Sequence, residues 1–362
     1  MTGKELVFRA LERKSVQQLP FCEALWGETI KRWTDEGHLK PDEKIYEHFN
    51  FDLFGGSRIS SIADVEYKDE IINEDEEFIL FKDGNGATKR MFKKTPGPRE
   101  YVNFSVKDRQ DWEEKIKPHL SGLDRKRIPF EDYRNEMEKA SDRQLFHTVA
   151  GLAPFEQMHP VCGHENLLIG MALDPAWIKD MVETYVNLTI NHLEELFSEE
   201  GLPDAAWLSE DLGYKNNPFI SPQMYKELLM PGHKKLFGYL HGKGLKVIVH
   251  SCGFIEPLVP GLIEAGMDCL QAMEVKAGMD LPRLFKKFGQ QISFCGNIDV
   301  RVLLSNDKNK VEQELKEKIL PVLGSGGGYI LHSDHSIPPQ VDYETFAYFV
   351  ERGRMLPELL GK

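Results

Sequence analysis

The sequence predicts an α/β protein, a (β/α)₈ barrel with an N-terminal helical and β-rich extension. Three observations predict it. From about residue 140 onward, short apolar runs alternate with longer helical stretches, the order that builds a parallel sheet with crossover helices. The apolar runs end, one after another, in titratable residues, and barrel enzymes gather their chemistry at the C-terminal ends of the strands. No G-x-G-x-x-G follows an early strand, which counts against the competing architecture, an open doubly wound sheet that binds a dinucleotide.

The elements follow in chain order. Residues 4–38 read as helical, with Trp26 and Trp33 spaced to share one buried face. Residues 70–106 read as a small β-rich cap. Its turns are expected at Asp83-Gly84-Asn85-Gly86 and at Thr95-Pro96-Gly97-Pro98, sequences that join antiparallel strands. The acidic run Glu74–Glu77 reads as a solvated strand entry. Strands are expected at 145–149, 206–209, 246–250, 269–272, 292–295 and 329–331, and helices at 155–171, 175–197, 222–241, 255–265, 281–288, 310–322 and 343–356. That makes six strand–helix units, and the missing barrel strands are expected in the N-terminal part, near Leu53–Gly55. The expected division is 1–139, extension, cap and first barrel elements, and 140–362, the main part of the barrel.

Composition bounds the function. The net charge is −13, with 45 Lys and Arg against 58 Asp and Glu. Such a chain is not expected to bind nucleic acid or an anionic membrane, because phosphate recognition needs clustered cations. No apolar run reaches the ~18 residues of a membrane span, and the charged, amphipathic start MTGKELVFRALERKS does not read as a secretory signal. The five cysteines, at 22, 162, 252, 269 and 295, are odd in number and widely spaced. Reduced thiols in a cytoplasmic protein are therefore expected rather than a disulfide framework.

The strand ends carry the candidate chemistry. In Leu245-Lys-Val-Ile-Val-His250-Ser-Cys252-Gly253 a short apolar strand ends in His-x-Cys-Gly. Residues i and i+2 of a strand share a side, so His250 and Cys252 project together, and imidazole and thiolate are ligands that zinc prefers. The bland alternative is a packed histidine beside an inert thiol. In Leu331-His332-Ser-Asp334-His335 another strand end offers His335 or His332 as a further nitrogen ligand and Asp334 to orient an imidazole, or else a polar loop that caps the next helix. In Trp207-Leu-Ser-Glu210-Asp211-Leu-Gly213-Tyr214-Lys215 the adjacent carboxylates point to opposite sides, so one faces the barrel mouth as an acid or base while the other pairs with Lys215 or caps a helix. Glu274 and Lys276 follow the strand at Cys269, and Asn297 and Asp299 follow the strand at Ile292. The coincidence of these residues on one face is the strongest site signal in the sequence.

These segments also carry a resemblance. Glu210-Asp-Leu-Gly-Tyr-Lys215, Ile220-Ser-Pro-Gln-Met224, His250-Ser-Cys-Gly253, Leu270-Gln-Ala-Met-Glu-Val-Lys-Ala-Gly-Met-Asp280, Gly296-Asn-Ile-Asp-Val-Arg301 and Gly327-Gly-Tyr-Ile-Leu331 together resemble the uroporphyrinogen decarboxylase superfamily, over about residues 140–360. The resemblance implies a (β/α)₈ barrel with an N-terminal extension. It also implies one of two chemistries: metal-free decarboxylation of uroporphyrinogen, or methyl transfer to or from a cobalt corrinoid with the help of zinc. The decarboxylases carry an early arginine-rich segment resembling M-R-Q-A-G-R. The segment here, Leu19-Pro-Phe-Cys-Glu-Ala-Leu-Trp26-Gly-Glu-Thr-Ile-Lys31-Arg32-Trp33, lacks that cluster, and a substrate with many carboxylates needs dense cationic recognition. The chain is thus nearer the corrinoid-dependent methyltransferases. Their His-x-Cys ligands fall on His250 and Cys252. Their third ligand, a cysteine, falls where this chain has His335, with Cys295 as the alternative.

The expected function is therefore a corrinoid-linked methyltransferase. It would move a methyl group between a small methylated molecule, such as a methyl ether or methylamine, and a cobalamin on a partner corrinoid protein. Zinc would sit on His250, Cys252 and His335, and Glu210, Asp211, Glu274, Asp299 and Asp334 are the candidate acids and bases. Lys215, Lys276, Asn297 and His332 are the candidate substrate contacts. No D-x-H-x-x-G for ligating cobalt is present, which is why the corrinoid is assigned to a partner. The alternatives are a metal-free decarboxylase and a non-catalytic barrel that binds a corrinoid or tetrapyrrole.

Overall fold

The computed structural model of the chain describes residues 1–94, 99–326 and 328–361. The turn expected at Thr95-Pro96-Gly97-Pro98 lies outside them, as does Gly327. In chain order the strands are β1 (Leu53–Phe54), β2 (Glu70–Glu74), β3 (Phe78–Lys82), β4 (Ala87–Phe92), β5 (Glu100–Phe104), β6 (Phe146–Leu152), β7 (Ala205–Ser209), β8 (Lys246–Ser251), β9 (Cys269–Ala272), β10 (Ser293–Gly296) and β11 (Tyr329–Ile330). Strands β2 to β5 form a four-stranded antiparallel sheet, the cap. At its Asp83–Gly86 turn, Oδ1 of Asp83 accepts the N–H groups of Asn85 and Ala87, both at 3.0 Å, and Gly86 takes the positive φ of +71° that the turn requires.

The other seven strands form one curled parallel sheet in the order β1-β6-β7-β8-β9-β10-β11, a TIM-type barrel. The chain between the first two helices closes it. Leu331 N–H donates to Pro20 O at 2.8 Å, Cys22 N–H to Leu331 O at 3.4 Å, and Asp52 N–H to Phe21 O at 2.9 Å. Residues 20–22 therefore lie between β11 and β1 as the eighth stave.

This stave corrects the reading of residues 4–38 as helical throughout. The chain forms helices Gly3–Leu11 and Gly27–Asp35, and Pro20, which cannot donate to a helical ladder, lies in the extended stretch between them. Trp33 is fully buried, whereas Trp26 is 45% exposed. Trp26 sits before the first turn of its helix with extended backbone, φ −67° and ψ 148°, so it does not share the helical face of Trp33.

The barrel wall is buried on both sides. Val247, Ile248 and Val249 of β8 have no exposed surface, as expected of a parallel strand with side chains inside the barrel and helices outside. The 26-residue helix Pro175–Glu200 shows how those helices are built. Asp174 caps it by accepting Trp177 N–H at 3.1 Å, Ile178, Met181, Val182, Tyr185 and Leu188 recur at helical spacing on its buried face, and Gly201 ends it at φ +90°. Truncating one such side chain to Ala costs about 2–5 kcal/mol. Among the described residues no helix is long and apolar enough to cross a membrane.

Candidate active site

Parallel pairing puts Ser209, His250, Gln271, Cys295 and Ile330 at one level of the barrel, each registered to the next strand. His250 and Cys252 sit at the C-terminal end of β8, half-buried. Their alternation in the strand turns both toward the interior. His250 Nε2 lies 3.3 Å from Cys252 Sγ and 3.4 Å from Asp211 Oδ1. Its Nδ1 hydrogen-bonds Gln271 Oε1. An amide oxygen accepts only, so Nδ1 carries the proton and the Nε2 lone pair faces the thiol and the carboxylate.

Asp211, His250 and Cys252 are the one group of three or more His, Cys, Asp or Glu donors found within 4.8 Å of one another among the described residues. The donor set fits zinc. Tetrahedral bonds of roughly 2.0–2.3 Å separate neighbouring N, O and S ligands by about 3.3–3.5 Å, close to the separations observed here. Burial pushes the Asp211 carboxyl up from its ordinary value, against the pull of His250. Burial, then the carboxylates of Asp211, Glu274 and Glu156, pushes the Cys252 thiol up as well. A dication at this point would reverse both shifts.

The cluster opens onto a cavity of about 570 Å³, within the range of small-molecule sites. His250, Cys252, Gln271, Trp207 and Ser209 form one side, and Cys22, Glu23, Tyr46, Phe54, His332, Asp334 and His335 form the other. Asp334 is buried and accepts Val275 N–H at 2.8 Å and Val300 N–H at 2.9 Å. Burial raises its pKa.

Residues 136–355 match the family model described as uroporphyrinogen decarboxylase (URO-D). The chain belongs to the uroporphyrinogen decarboxylase family. Within it, an 80-residue segment is 35% identical to a uroporphyrinogen decarboxylase of Idiomarina loihiensis, and the match spans 22% of this chain and 22% of the length of that relative. The chain also superposes on a methyltransferase from Methanosarcina mazei over 100% of both chains, with a TM-score of 0.69 and 14% identity. At that identity the likeness is one of fold.

Against this family background, the strand-end residues separate into two sets. His250, Cys252, His332, Asp334 and His335 line the cavity, and Asp211 joins the first two. His335, however, is exposed at the rim with Nδ1 3.3 Å from Ser336 O, and it stands outside the donor cluster. The preceding Asp334 is held by its two backbone N–H bonds, and His335 follows it in a bend of the chain. Cys295 is buried, with its thiol raised by burial and by Cys22, and it too stands outside the cluster.

The remaining candidates are engaged elsewhere. Glu210 is fully buried behind the strand end, where it accepts Phe155 and Glu156 N–H, each at 3.2 Å, at the start of helix Pro154–Leu173. It also pairs with His233 Nε2 at 2.7 Å. Of the two adjacent carboxylates, Glu210 thus caps a helix and Asp211 faces the site. Lys215 and Lys276 are exposed and outside the cavity lining. Glu274 accepts Gly253 N–H at 2.9 Å. Asn297 is buried and ties Leu281 N–H to the carbonyls of Met273 and Met279. Asp299 caps the helix Val300–Leu304 and holds Arg301.

Two site residues are missing from the sequence reading. Gln271 fixes the tautomer of His250, but their pairing is set by the register of β8 on β9, which one strand alone does not reveal. Glu23 follows a three-residue stave that contains proline, and a proline demotes an apolar run as a strand candidate.

Proposed function

We propose that this chain is a methyltransferase that moves a methyl group between a small methylated molecule and a cobalamin carried by a partner protein. The observation that carries this reading is the nitrogen, sulfur and oxygen donor set of His250, Cys252 and Asp211 on the wall of a 570 Å³ cavity. These three residues would hold zinc. When bound, the ion supplies Lewis-acid polarisation of the heteroatom that leaves or receives the methyl group.

The chain's own residues supply the rest. Gln271 holds His250 in the ligating tautomer. Asp211 accepts Cys252 N–H at 2.8 Å, and Glu274 accepts Gly253 N–H at 2.9 Å, so the His-x-Cys-Gly loop is fixed from both sides. Asp334 lines the cavity with a raised pKa, which suits it to hand a proton to a departing oxygen or nitrogen. The cobalamin is assigned to a separate protein because the chain has no D-x-H-x-x-G for ligating cobalt.

Incubation with reduced cobalamin and a panel of methyl donors tests the reading. Methylation of cobalt changes the visible spectrum, so no labelled substrate is needed. Turnover with at least one methyl ether or methylamine, lost in Cys252→Ala, is the expected result. An unchanged spectrum across the panel, with zinc supplied, would overturn it.

A further inference from the structure

The cavity wall opposite the His250 cluster carries a second polar pair. Its Glu23 follows stave 20–22, which lies four staves from β8 in either direction around the barrel. The Glu23 side chain has no exposed surface. Its oxygens accept Ser333 N–H at 2.8 Å and Ala24 N–H at 2.9 Å. His332 Nδ1 stands 3.3 Å from Glu23 Oε1 and 2.6 Å from Ser333 O. Both neighbours are acceptors, so Nδ1 carries a proton, shared chiefly with the nearer Ser333 O, and in the neutral imidazole Nε2 is a lone pair on a residue that lines the cavity.

The rest of the lining narrows what can sit between the two centres. Tyr46 and Phe54 form a tilted pair with ring centroids 4.4 Å apart, and the Trp207 ring lies 6.4 Å from that of His332. These walls suit a flat ring. Lys44, exposed near the mouth, is the one Lys or Arg among the described lining residues. An anionic substrate end would therefore pay an unpaired desolvation cost. A hydroxyl would meet the acceptor that His332 offers.

We infer that His332, oriented by Glu23, is a specificity-determining residue whose Nε2 accepts a hydrogen bond from a hydroxyl on the methyl donor, and that the donor is a neutral aromatic methyl ether bearing that hydroxyl at the end away from the methoxy group. The identity of the methyl-bearing end rests on the methyl-transfer reading. The hydroxyl preference is a binding property and needs no turnover.

The test is a ligand-observed NMR titration of the full chain with 4-methoxyphenol, 1,4-dimethoxybenzene and 4-methoxybenzoate. Wild type is expected to bind the phenol about tenfold more tightly than the dimethyl ether, the effect of leaving one buried acceptor unpaired, and to bind the benzoate more weakly than either. His332→Phe is expected to erase the phenol preference, and Glu23→Gln to reduce it. Equal affinities in wild type, preferred binding of the benzoate, or a preference that survives His332→Phe would each overturn the inference. If His332→Phe does not fold, the wild-type comparison and Glu23→Gln still decide. A hydroxyl preference without cobalt methylation would sink the methyl-transfer reading alone, and methylation without a hydroxyl preference would sink this inference alone.

Discussion

Asp211 accepts the backbone N–H of Cys252 at 2.8 Å, a bond that joins the loop after β7 to the loop after β8. The two loops also touch through glycines. A Cβ on Gly213 would overlap Cys252 O and the backbone of Gly253, and Gly253 itself stands at φ +74° against Gly213. Phe254 N–H then donates to Tyr214 O at 2.9 Å. Asp211 is thereby held close to His250 and Cys252 by main-chain contacts. Such preorganisation is what a metal site on a barrel rim requires.

The purified chain is accordingly expected to hold close to one zinc, with Cys252→Ala and Asp211→Asn each losing most of it. His335→Ala is expected to keep it, since His335 lies on the exposed rim. Elemental analysis of the four proteins checks this. A wild type that stays metal-free after equilibration with zinc would contradict the cluster's assignment.

Glu210 is expected to be a stability residue. With its partner His233 it forms a fully buried pair, and His233 Nδ1 in turn meets Tyr225 OH at 2.9 Å. Removing one member of such a pair leaves the other unpaired and costs about 3–5 kcal/mol. Glu210→Ala should therefore lower the denaturation midpoint strongly. If Glu210→Ala instead keeps wild-type stability while abolishing turnover, Glu210 belongs to the chemistry and this assignment is wrong.

What the sequence reveals of this site follows from how local each feature is. His250 lies at the end of one strand and Cys252 directly after it, so alternation alone predicts that they project together. The opposed roles of Glu210 and Asp211 are legible for the same reason, although which carboxylate faces inward is decided by the helix start at Phe155 and Glu156, more than fifty residues away in the chain. The eighth stave is hidden because its three residues pair with partners distant on both sides, Leu331 and Asp52. Glu23 and Gln271 are hidden likewise, because cross-strand register is a property of the closed barrel.

Away from the site, Glu312 provides a pH test. The Arg352 guanidinium, with smaller help from Lys316 and Tyr348, holds its carboxyl down at about 2 from an ordinary 4.5. A depressed carboxylate stabilises the fold above its unfolded pKa, and that contribution is lost as pH falls through the folded value. The partners are partly exposed, so solvent screening reduces the effect to about 1 kcal/mol. Glu312→Gln should be less stable than wild type at pH 7, and the gap should close between about pH 4.5 and pH 2 in denaturant titrations. A gap that widens on acidification would show that another group governs the pair.

The chain is expected to leave uroporphyrinogen unchanged, although it belongs to the family named for that decarboxylation. A substrate rich in carboxylates is recognised by arginine and lysine, and bidentate arginine contacts are the strongest of these. Here Lys44 is the one such residue among the described cavity lining. Arg32, which lies in the segment where the decarboxylases carry their arginines, is spent on Glu36, Asp342 and Pro339 O. Incubation with uroporphyrinogen under anaerobic conditions, with oxidised porphyrins resolved by chromatography, should show no coproporphyrin above the enzyme-free control. Robust formation of coproporphyrinogen would require a cationic surface that this cavity does not present, and would return the chain to metal-free decarboxylation.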